Sequence, residues 1–142
     1  MDNVLVDFAS GIARLGEDVR RQYDGRLDDV PGIFSLMDPM PGAIQAYEQL
    51  ASVFDAYILS TSPRMNPTAW SDKLAWVKKY MGEAAYKRLI LIHHKNLNMG
   101  DFLIDDRTNN GADRFAGEHI LFASERFPDW PAVLTYLMGK AN

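Results

Sequence analysis

The sequence predicts an α/β protein in which a parallel sheet carries helices on both faces. Short apolar runs that suit buried strands alternate along the chain with stretches of helical periodicity. Polar clusters directly follow several of these runs, and ligands of parallel sheets bind beyond the carboxyl ends of the strands. The 142 residues suit one domain, without an internal repeat or a linker that would divide it.

The first third of the chain predicts helices separated by a turn-rich segment. Residues 8–22 form the first predicted helix, because apolar side chains recur there at helical spacing with charges between them. Those side chains are Phe8, Ile12, Leu15 and Val19. Residues 23–41 are rich in Asp, Pro and Gly, which favours turns. A second helix is predicted to begin near Gly42, with Ile44, Tyr47 and Leu50 on one face.

The rest of the chain predicts alternating strands and helices. The predicted strands are Phe54–Leu59, Leu89–Ile92, Phe102–Ile104 and His119–Phe122. Helices are predicted over residues 68–80 and 130–138. We expect Trp70, Leu74, Val77 and Tyr80 to face the core from the first of these helices, and Trp76 and Trp130 to be core residues as well.

Composition excludes several classes of function. A net charge of −4 argues against a broad positively charged surface that would bind a nucleic acid polymer. The chain has no cysteine, which excludes disulfides and thiolate chemistry. No apolar run approaches the length of a membrane span, so we predict no membrane association and a cytoplasmic location.

The stretch Phe102–Arg107 organises the functional interpretation. Three apolar residues are followed at once by Asp105 and Asp106, so a buried strand ends in two adjacent carboxylates. These repel each other unless a positive charge lies nearby, and hard oxygen ligands of this kind suit Mg²⁺. A solvated Asp-Asp turn is the alternative. The site is favoured because stretches near residues 2 and 61 end in a similar way.

Together these polar residues form a set suited to phosphoryl transfer. Carboxylates hold a metal ion, hydroxyls and backbone N–H groups hold phosphate oxygens, and a lysine neutralises developing charge. The candidates are Asp2, the segment 60–62, Lys73, Asp105 and Asp106. An aspartate also acts as a nucleophile in reactions that pass through an aspartyl-phosphate.

Five segments in order carry a resemblance to a known family. They are Met1–Phe8 (MDNVLVDF), Pro41–Ala43 (PGA), Thr61–Pro63 (TSP), Lys73–Val77 (KLAWV) and Ile104–Arg107 (IDDR). The chain resembles the haloacid dehalogenase-like phosphohydrolases, and more closely their 5'(3')-deoxyribonucleotidase branch. Any one segment is a weak signal, but their shared order and spacing cover nearly the whole chain.

This resemblance implies a fold, a reaction and a set of roles. The fold would be a Rossmann-like parallel sheet with a reduced helical cap. The reaction would be Mg²⁺-dependent hydrolysis of a small phosphomonoester, namely a (deoxy)nucleoside 5'-monophosphate. Asp2 would be the acid/base and a backbone-carbonyl metal ligand, and Asp105 and Asp106 the metal carboxylates. Thr61 and Ser62 would hold the phosphate, while Lys73 bridges phosphate and carboxylates.

The sequence departs from the family pattern at its beginning. The family motif opens with a nucleophilic Asp two positions before the acid/base Asp, which places the nucleophile immediately before Met1. The central first strand, which would carry it, is therefore expected to be truncated. A start at an internal methionine is our preferred explanation, and a catalytically silent relative is the alternative.

The cap segment is also shorter than the family pattern. Residues 9–40 form a reduced cap inserted in the single domain 1–142, which leaves base and sugar selectivity open. Phe8 and Phe34 are candidates for stacking on a base. Arg64 and Asn66 are candidates for contacts with phosphate or sugar, and His93 for a contact with the substrate. Core packing or a solvated loop is the alternative for each of them.

Two rival functions remain open from the sequence. One is a non-catalytic nucleotide- or phosphate-binding protein, favoured by the missing nucleophile. The other is a phosphatase of a different small metabolite, favoured by the short cap. A homodimer is compatible with the sequence.

Overall fold

The computed structural model describes residues 1–141 and confirms a mixed α/β fold. The strands are β1 Val6–Asp7, β2 Asp38–Pro39, β3 Ile58–Ser60, β4 Leu89–Leu91, β5 Phe102–Asp105 and β6 Glu118–Leu121. The α-helices are α1 Phe8–Ala13, α2 Glu17–Gln22, α3 Ala43–Ala51, α4 Ala69–Tyr80 and α5 Trp130–Met138. Short 3₁₀ turns lie at Leu27–Asp29, Ile33–Leu36, Gly82–Ala85, Lys95–Leu97 and Ala112–Arg114.

The predicted parallel sheet is present as two separate parallel pairs. Strand β3 pairs with β4, with Ile58 opposite Leu89, and β5 pairs with β6, with Phe102 opposite Glu118. A third, antiparallel pair joins β1 to β2. No strand of the described residues links β3 to β5, so these two strands each keep one free edge.

The prediction of a single helix over residues 8–22 is wrong, because two helices occupy that segment. Helix α1 begins after Asp7, whose carboxylate accepts a hydrogen bond from the Ser10 backbone N–H. Gly16 then adopts an extended conformation, with φ −65° and ψ 154°, and α2 begins after it. The break lets Leu15 turn into the core, and glycine carries the lowest helix propensity after proline.

The inward face of α4 also differs from the prediction. Trp70 is 49% exposed and Leu74 is 48% exposed, so the prediction that they face the core is wrong. The buried face consists of Ala69, Lys73, Trp76 and Val77. The spacing of apolar residues does not reveal this face, because one of its four residues is a lysine. A lysine is buried only where acceptors satisfy its ammonium group. Trp76 and Trp130 are core residues, as predicted.

The segment 9–40 packs on the body of the domain through its second half. Phe34 and Met37 are buried, and the Trp76 indole N–H donates to the Met37 carbonyl over 2.9 Å. Asn66 is also buried and donates from its amide to the carbonyls of Asp28 and Val30. Asn66 therefore anchors this segment, and the predicted contact with phosphate or sugar is wrong for it.

Within residues 1–141, no helix combines the length and the apolar character that crossing a membrane requires.

Candidate active site

The carboxyl ends of β3 and β5 open into one cavity of about 510 Å³. Seven of the predicted site residues line it, namely Asp2, Phe8, Thr61, Arg64, His93, Asp105 and Asp106. Three further predicted residues, Phe34, Ser62 and Lys73, lie below its surface. The sheet rule thus placed the cavity correctly, since chain segments far apart in sequence meet where the parallel strands end.

Lys73 is fully buried and uses all of its hydrogen-bond donors inside the protein. Its ammonium lies 2.7 Å from Asp2 Oδ2, 2.9 Å from Ser60 Oγ and 2.6 Å from the Thr61 carbonyl oxygen. An ammonium has three N–H donors, so each has an acceptor. Burial lowers the pKa of Lys73, while the Asp2 carboxylate acts in the opposite direction. Lys73 therefore acts on the site through Asp2.

Asp2 presents one satisfied and one unsatisfied carboxylate oxygen. Oδ2 accepts from Lys73, whereas Oδ1 is buried and has no hydrogen-bond partner among the described residues. A tight turn holds the residue, because the Met1 carbonyl accepts from the backbone N–H groups of Val4, Leu5 and Val6. A buried carboxylate oxygen without a donor is costly, and it marks a place for a proton, a water molecule or a cation.

Lys95 is a site residue that the sequence analysis did not single out. It forms an ion pair with Asp105, and the side chains of both residues are at least nine-tenths buried. Its position in the polar cluster directly after β4 is the signal that identifies it, because the same placement marked Thr61. Burial acts to raise the pKa of Asp105. The hydrogen bond and charge of Lys95, the N-terminal ammonium and the Arg107 N–H together outweigh this effect, so that pKa lies below its usual value.

Asp106 is held differently from its neighbour. Burial and the Asp105 charge raise the pKa of Asp106, against the smaller effects of Asn3 and Arg107. The Asn3 amide donates to Asp106 Oδ2 over 3.3 Å, and the Arg107 Nε lies 3.6 Å from the same oxygen. The two adjacent carboxylates therefore differ in charge compensation, because only Asp105 has a buried cation of its own.

Thr61 and Ser62 occupy different environments. Thr61 lines the cavity, where its hydroxyl donates to the Ile92 carbonyl over 3.2 Å. Ser62 is fully buried, and its hydroxyl has no partner among the described residues. Of the two residues predicted to hold phosphate, only Thr61 contributes to the cavity wall.

Of the residues predicted to contact substrate, three line the cavity and one lies in the core. Phe8, Arg64 and His93 line the cavity, together with Leu27 and Asp28 from the segment 9–40. Phe34 lies in the core instead, with its ring 6.0 Å from that of Phe8 and 4.3 Å from the Lys73 ammonium. Phe34 thus packs against Phe8 and Lys73 on the core side of the cavity.

The chemistry of the donor set suits a hard divalent cation. Asp2, Asp105 and Asp106 all line the cavity, and Asp2 Oδ1 is unsatisfied. Among residues 1–141, no three His, Asp or Glu side chains are grouped so as to hold a metal ion by themselves. A Mg²⁺ ion bound by two carboxylates would draw its other ligands from backbone carbonyls, water and phosphate, as Mg²⁺ usually does.

A parallel-strand fold with these carboxylates and lysines around one cavity suits a hydrolase that acts on phosphoric monoesters, and comparison with known proteins names the family. The sequence model of the 5' nucleotidase, deoxy (Pyrimidine), cytosolic type C proteins matches residues 22–127. The chain belongs to this family. The resemblance stated from five short segments is therefore confirmed.

Several named relatives show the same similarity. A protein of Vibrio phage KVP40 is 61% identical over 140 residues, and the match covers 99% of this chain and 82% of the phage protein. The phage protein is named as a provisional 5'(3')-deoxyribonucleotidase. The human 5'(3')-deoxyribonucleotidase, cytosolic type, is 30% identical over 153 residues, covering 86% of this chain and 76% of its own length. A Bordetella pertussis relative is 36% identical over 94 residues, and the match spans 50% of its length.

Proposed function

We propose that this chain provides the phosphate-handling site of a 5'-nucleotidase that hydrolyses (deoxy)nucleoside 5'-monophosphates with Mg²⁺. One observation carries the proposal. Two lysine–aspartate pairs whose lysines are buried, Lys73–Asp2 and Lys95–Asp105, meet at one cavity at the ends of parallel strands, in a member of this family. The names of the phage and human relatives support a deoxyribonucleotide as the substrate class.

In this proposal Asp2 moves the proton. The attacking carboxylate belongs to an Asp that would directly precede Met1, as the family pattern implies. It forms a bond to phosphorus while the ester P–O bond breaks, and Asp2 donates a proton to the leaving alkoxide. Water then attacks the aspartyl-phosphate and gives a proton to the Asp2 carboxylate, which releases phosphate.

The other side chains hold charge in place. Asp105, Asp106 and the Asp2 backbone carbonyl would hold Mg²⁺, which when bound neutralises charge on the phosphate oxygens. Lys73 fixes the Asp2 carboxylate, since its donors are already occupied. Lys95 lines the cavity with a single side-chain acceptor among the described residues, so it is the cation better placed to meet a phosphate.

The cavity also fits the proposed substrate class. Its volume of about 510 Å³ lies in the range of small-ligand sites, and its wall combines Phe8 and Leu27 with Arg64. An aromatic and an aliphatic side chain suit the apolar faces of a base, and a guanidinium suits phosphate or sugar oxygens. Cytoplasmic action is part of the proposal, which the cytosolic-type human relative supports.

Phosphate release from a panel of deoxyribonucleoside and ribonucleoside 5'-monophosphates tests this function. The 142-residue chain is compared with one that carries an added apolar strand ending in Asp directly before Met1. A matched extension ending in Asn serves as the control. We expect Mg²⁺-dependent turnover only with the Asp extension, higher by at least about 10³-fold than with Asn. Equal rates for the two extensions would contradict the covalent route.

A non-catalytic nucleotide-binding role is the second candidate, and the complete pairing of Lys73 favours it. Calorimetry with thymidine 5'-monophosphate, combined with the absence of turnover in both extended proteins, would establish this role. Turnover of p-nitrophenyl phosphate and of non-nucleotide esters at rates equal to those of nucleotides would instead identify a phosphatase of another metabolite.

A further inference from the structure

One carboxylate of the active-site cavity differs from the others in having no partner. Within residues 1–141 the carboxylates that line this cavity are Asp2, Asp28, Asp105 and Asp106. The two lysine pairs and the hydrogen bond from Asn3 engage three of them. No hydrogen bond or ion pair among the described residues engages the side chain of Asp28, which is exposed. Asp28 therefore offers free acceptor oxygens to the cavity.

A carboxylate without a counter-charge has a cost in a cavity that binds phosphate. The negative charge of Asp28 repels a phosphate group in the same space. An ionised carboxylate has acceptors only, so it favours binding only where the ligand brings an N–H or O–H donor. A phosphomonoester is largely dianionic at neutral pH and supplies no such donor. The nucleoside part of a nucleotide supplies both kinds, on the sugar hydroxyls and on the base.

The backbone of Asp28 is fixed by the buried side chain of Asn66. Asn66 is 1% exposed, and its amide donates to the carbonyls of Asp28 and Val30, each over 2.9 Å. Its Oδ1 accepts from the Thr68 backbone N–H over 3.1 Å. The Thr68 hydroxyl in turn accepts from the Gly32 backbone N–H over 2.8 Å. All these polar groups are satisfied, so the network holds residues 28–32 in one arrangement.

This network joins two walls of the cavity. Asn66 belongs to the loop after β3, which supplies Thr61 and Arg64 to one wall. Leu27 and Asp28 are the lining residues that the segment 9–40 supplies among residues 10–40. The Asn66 hydrogen bonds therefore set where Asp28 lies relative to the loop that is proposed to hold phosphate.

We infer that Asp28 determines specificity by accepting a hydrogen bond from the nucleoside part of the substrate, with Asn66 as its positioning residue. The donor is a sugar hydroxyl or a base N–H. A site that provides an acceptor for such a donor discriminates against ligands that lack it. The inference rests on the proposed nucleotide site and adds to it the group that distinguishes a nucleotide from phosphate alone.

Calorimetry with the 142-residue chain in Mg²⁺ buffer tests the role of Asp28. The ligands are thymidine 5'-monophosphate and inorganic phosphate, and the measured quantity is the ratio of their two Kd values. Asp28→Ala removes a charge that acts on both ligands and a hydrogen bond that only the nucleotide makes. We expect the ratio to rise by at least about fivefold. Asp24→Ala, at an exposed position of the same segment outside the cavity, is the matched control and should leave the ratio unchanged.

Two nucleotide analogues identify the donor. 2',3'-Dideoxythymidine 5'-monophosphate lacks the 3'-hydroxyl, and N3-methylthymidine 5'-monophosphate lacks the base N–H. The analogue without the relevant donor should bind the unsubstituted chain at least about fivefold more weakly than thymidine 5'-monophosphate. Its affinity should also no longer respond to Asp28→Ala beyond the effect seen with phosphate. If both analogues respond to Asp28→Ala as fully as thymidine 5'-monophosphate does, Asp28 accepts from neither donor and the inference is overturned.

Asn66→Ala tests the positioning role. It should raise the same ratio of Kd values by at least about fivefold, and combining it with Asp28→Ala should add less than about twofold. Independent effects of the two substitutions on the ratio would refute positioning through Asp28. If Asn66→Ala does not fold, the Asp28 and Asp24 variants still decide the inference.

The outcome also separates this inference from the proposed function. If the unsubstituted chain does not bind thymidine 5'-monophosphate, the proposed nucleotide site fails and the inference fails with it. If the chain binds both ligands and Asp28→Ala changes the two affinities by the same factor, the nucleotide site stands and only the inference is overturned.

Discussion

The side-chain amide of Asn3 donates to Asp106 Oδ2 over 3.3 Å, joining the two ends of the candidate metal site across 103 positions of sequence. Asn3 has φ 54°, in the left-handed region that few residues other than Gly, Asn and Asp adopt readily. This position therefore combines a backbone requirement with a side-chain contact. The two can be separated by substitution.

Asn3→Gly and Asn3→Ala form a matched pair for that purpose. Both remove the hydrogen bond to Asp106, so both should weaken Mg²⁺ binding by several-fold in calorimetry. Only alanine adds strain at the positive φ, which should lower stability by a further ~1 kcal/mol and the Tm by a few degrees. If Asn3→Gly binds Mg²⁺ as the unsubstituted chain does, Asn3 does not orient Asp106.

Asp105 and Asp106 should respond in opposite directions to loss of their charge. Asp105→Asn leaves the buried Lys95 ammonium without its carboxylate partner. We therefore expect the free energy of unfolding to fall by about 3 kcal/mol in metal-free buffer at pH 7. Burial and the Asp105 charge raise the pKa of Asp106, which means that its ionised carboxylate destabilises the fold. Asp106→Asn removes that charge, so we expect the Tm to rise by a few degrees. Thermal melts with EDTA present measure both effects.

The pH dependence follows from the two pKa directions. The folded-state pKa of Asp105 is lowered, so its stabilising contribution is present above the unfolded value of 3.8 and is lost as pH falls through the folded value. The folded-state pKa of Asp106 is raised, so its destabilising charge appears as pH rises from 3.8 through the folded value. The gain from Asp106→Asn should therefore vanish at acid pH. A gain that persists unchanged below pH 3.8 would contradict a charge effect.

Lys73 should be coupled energetically to Asp2. Lys73→Met leaves the partly buried Asp2 carboxylate without its cation and should lower the free energy of unfolding in urea by up to about 3 kcal/mol. Adding Asp2→Asn should recover part of that loss, because the remaining partner is then neutral. Lys78→Met, at an exposed position on the same helix, is the control and should change stability by less than about 0.5 kcal/mol. Additive losses in the double variant would show that the two residues act separately.

The sequence predicted the alternation of strands and helices because apolar runs and helical spacing are local signals. It also predicted which side chains follow the strands, and most of these side chains line one cavity. The Lys95–Asp105 pair was not predicted, since a lysine beside two histidines gives no indication of its distant partner. The buried face of α4 was missed for a related reason. Lys73 is buried only because Asp2, Ser60 and Thr61 satisfy its ammonium, which no local pattern reveals.

A cavity of about 650 Å³ separates β3 from β5, and we call it the central groove. Filling the central groove with a strand of the same chain should strongly raise the stability of the fold. The free edges of β3 and β5 and the apolar side chains around them remain without a strand between them in residues 1–141. An added N-terminal segment of apolar residues would pair with both edges, and each buried aliphatic side chain contributes roughly 1.5–3 kcal/mol. We expect the Tm to rise by more than about 10 °C, since each kcal/mol corresponds to a few degrees at this size.

A control extension of equal length with proline at alternate positions separates pairing from simple lengthening of the chain. Proline lacks the N–H that the strand edges require, so this extension should leave the Tm nearly unchanged. Light scattering at matched concentration follows the oligomeric state, because free edges also favour association of two copies. If the 142-residue chain is a dimer and the apolar extension makes it a monomer, the central groove is the contact between copies. If both chains are monomers with the same Tm, the central groove does not accept a strand, and the alignment of Met1–Phe8 with the family motif loses its structural support.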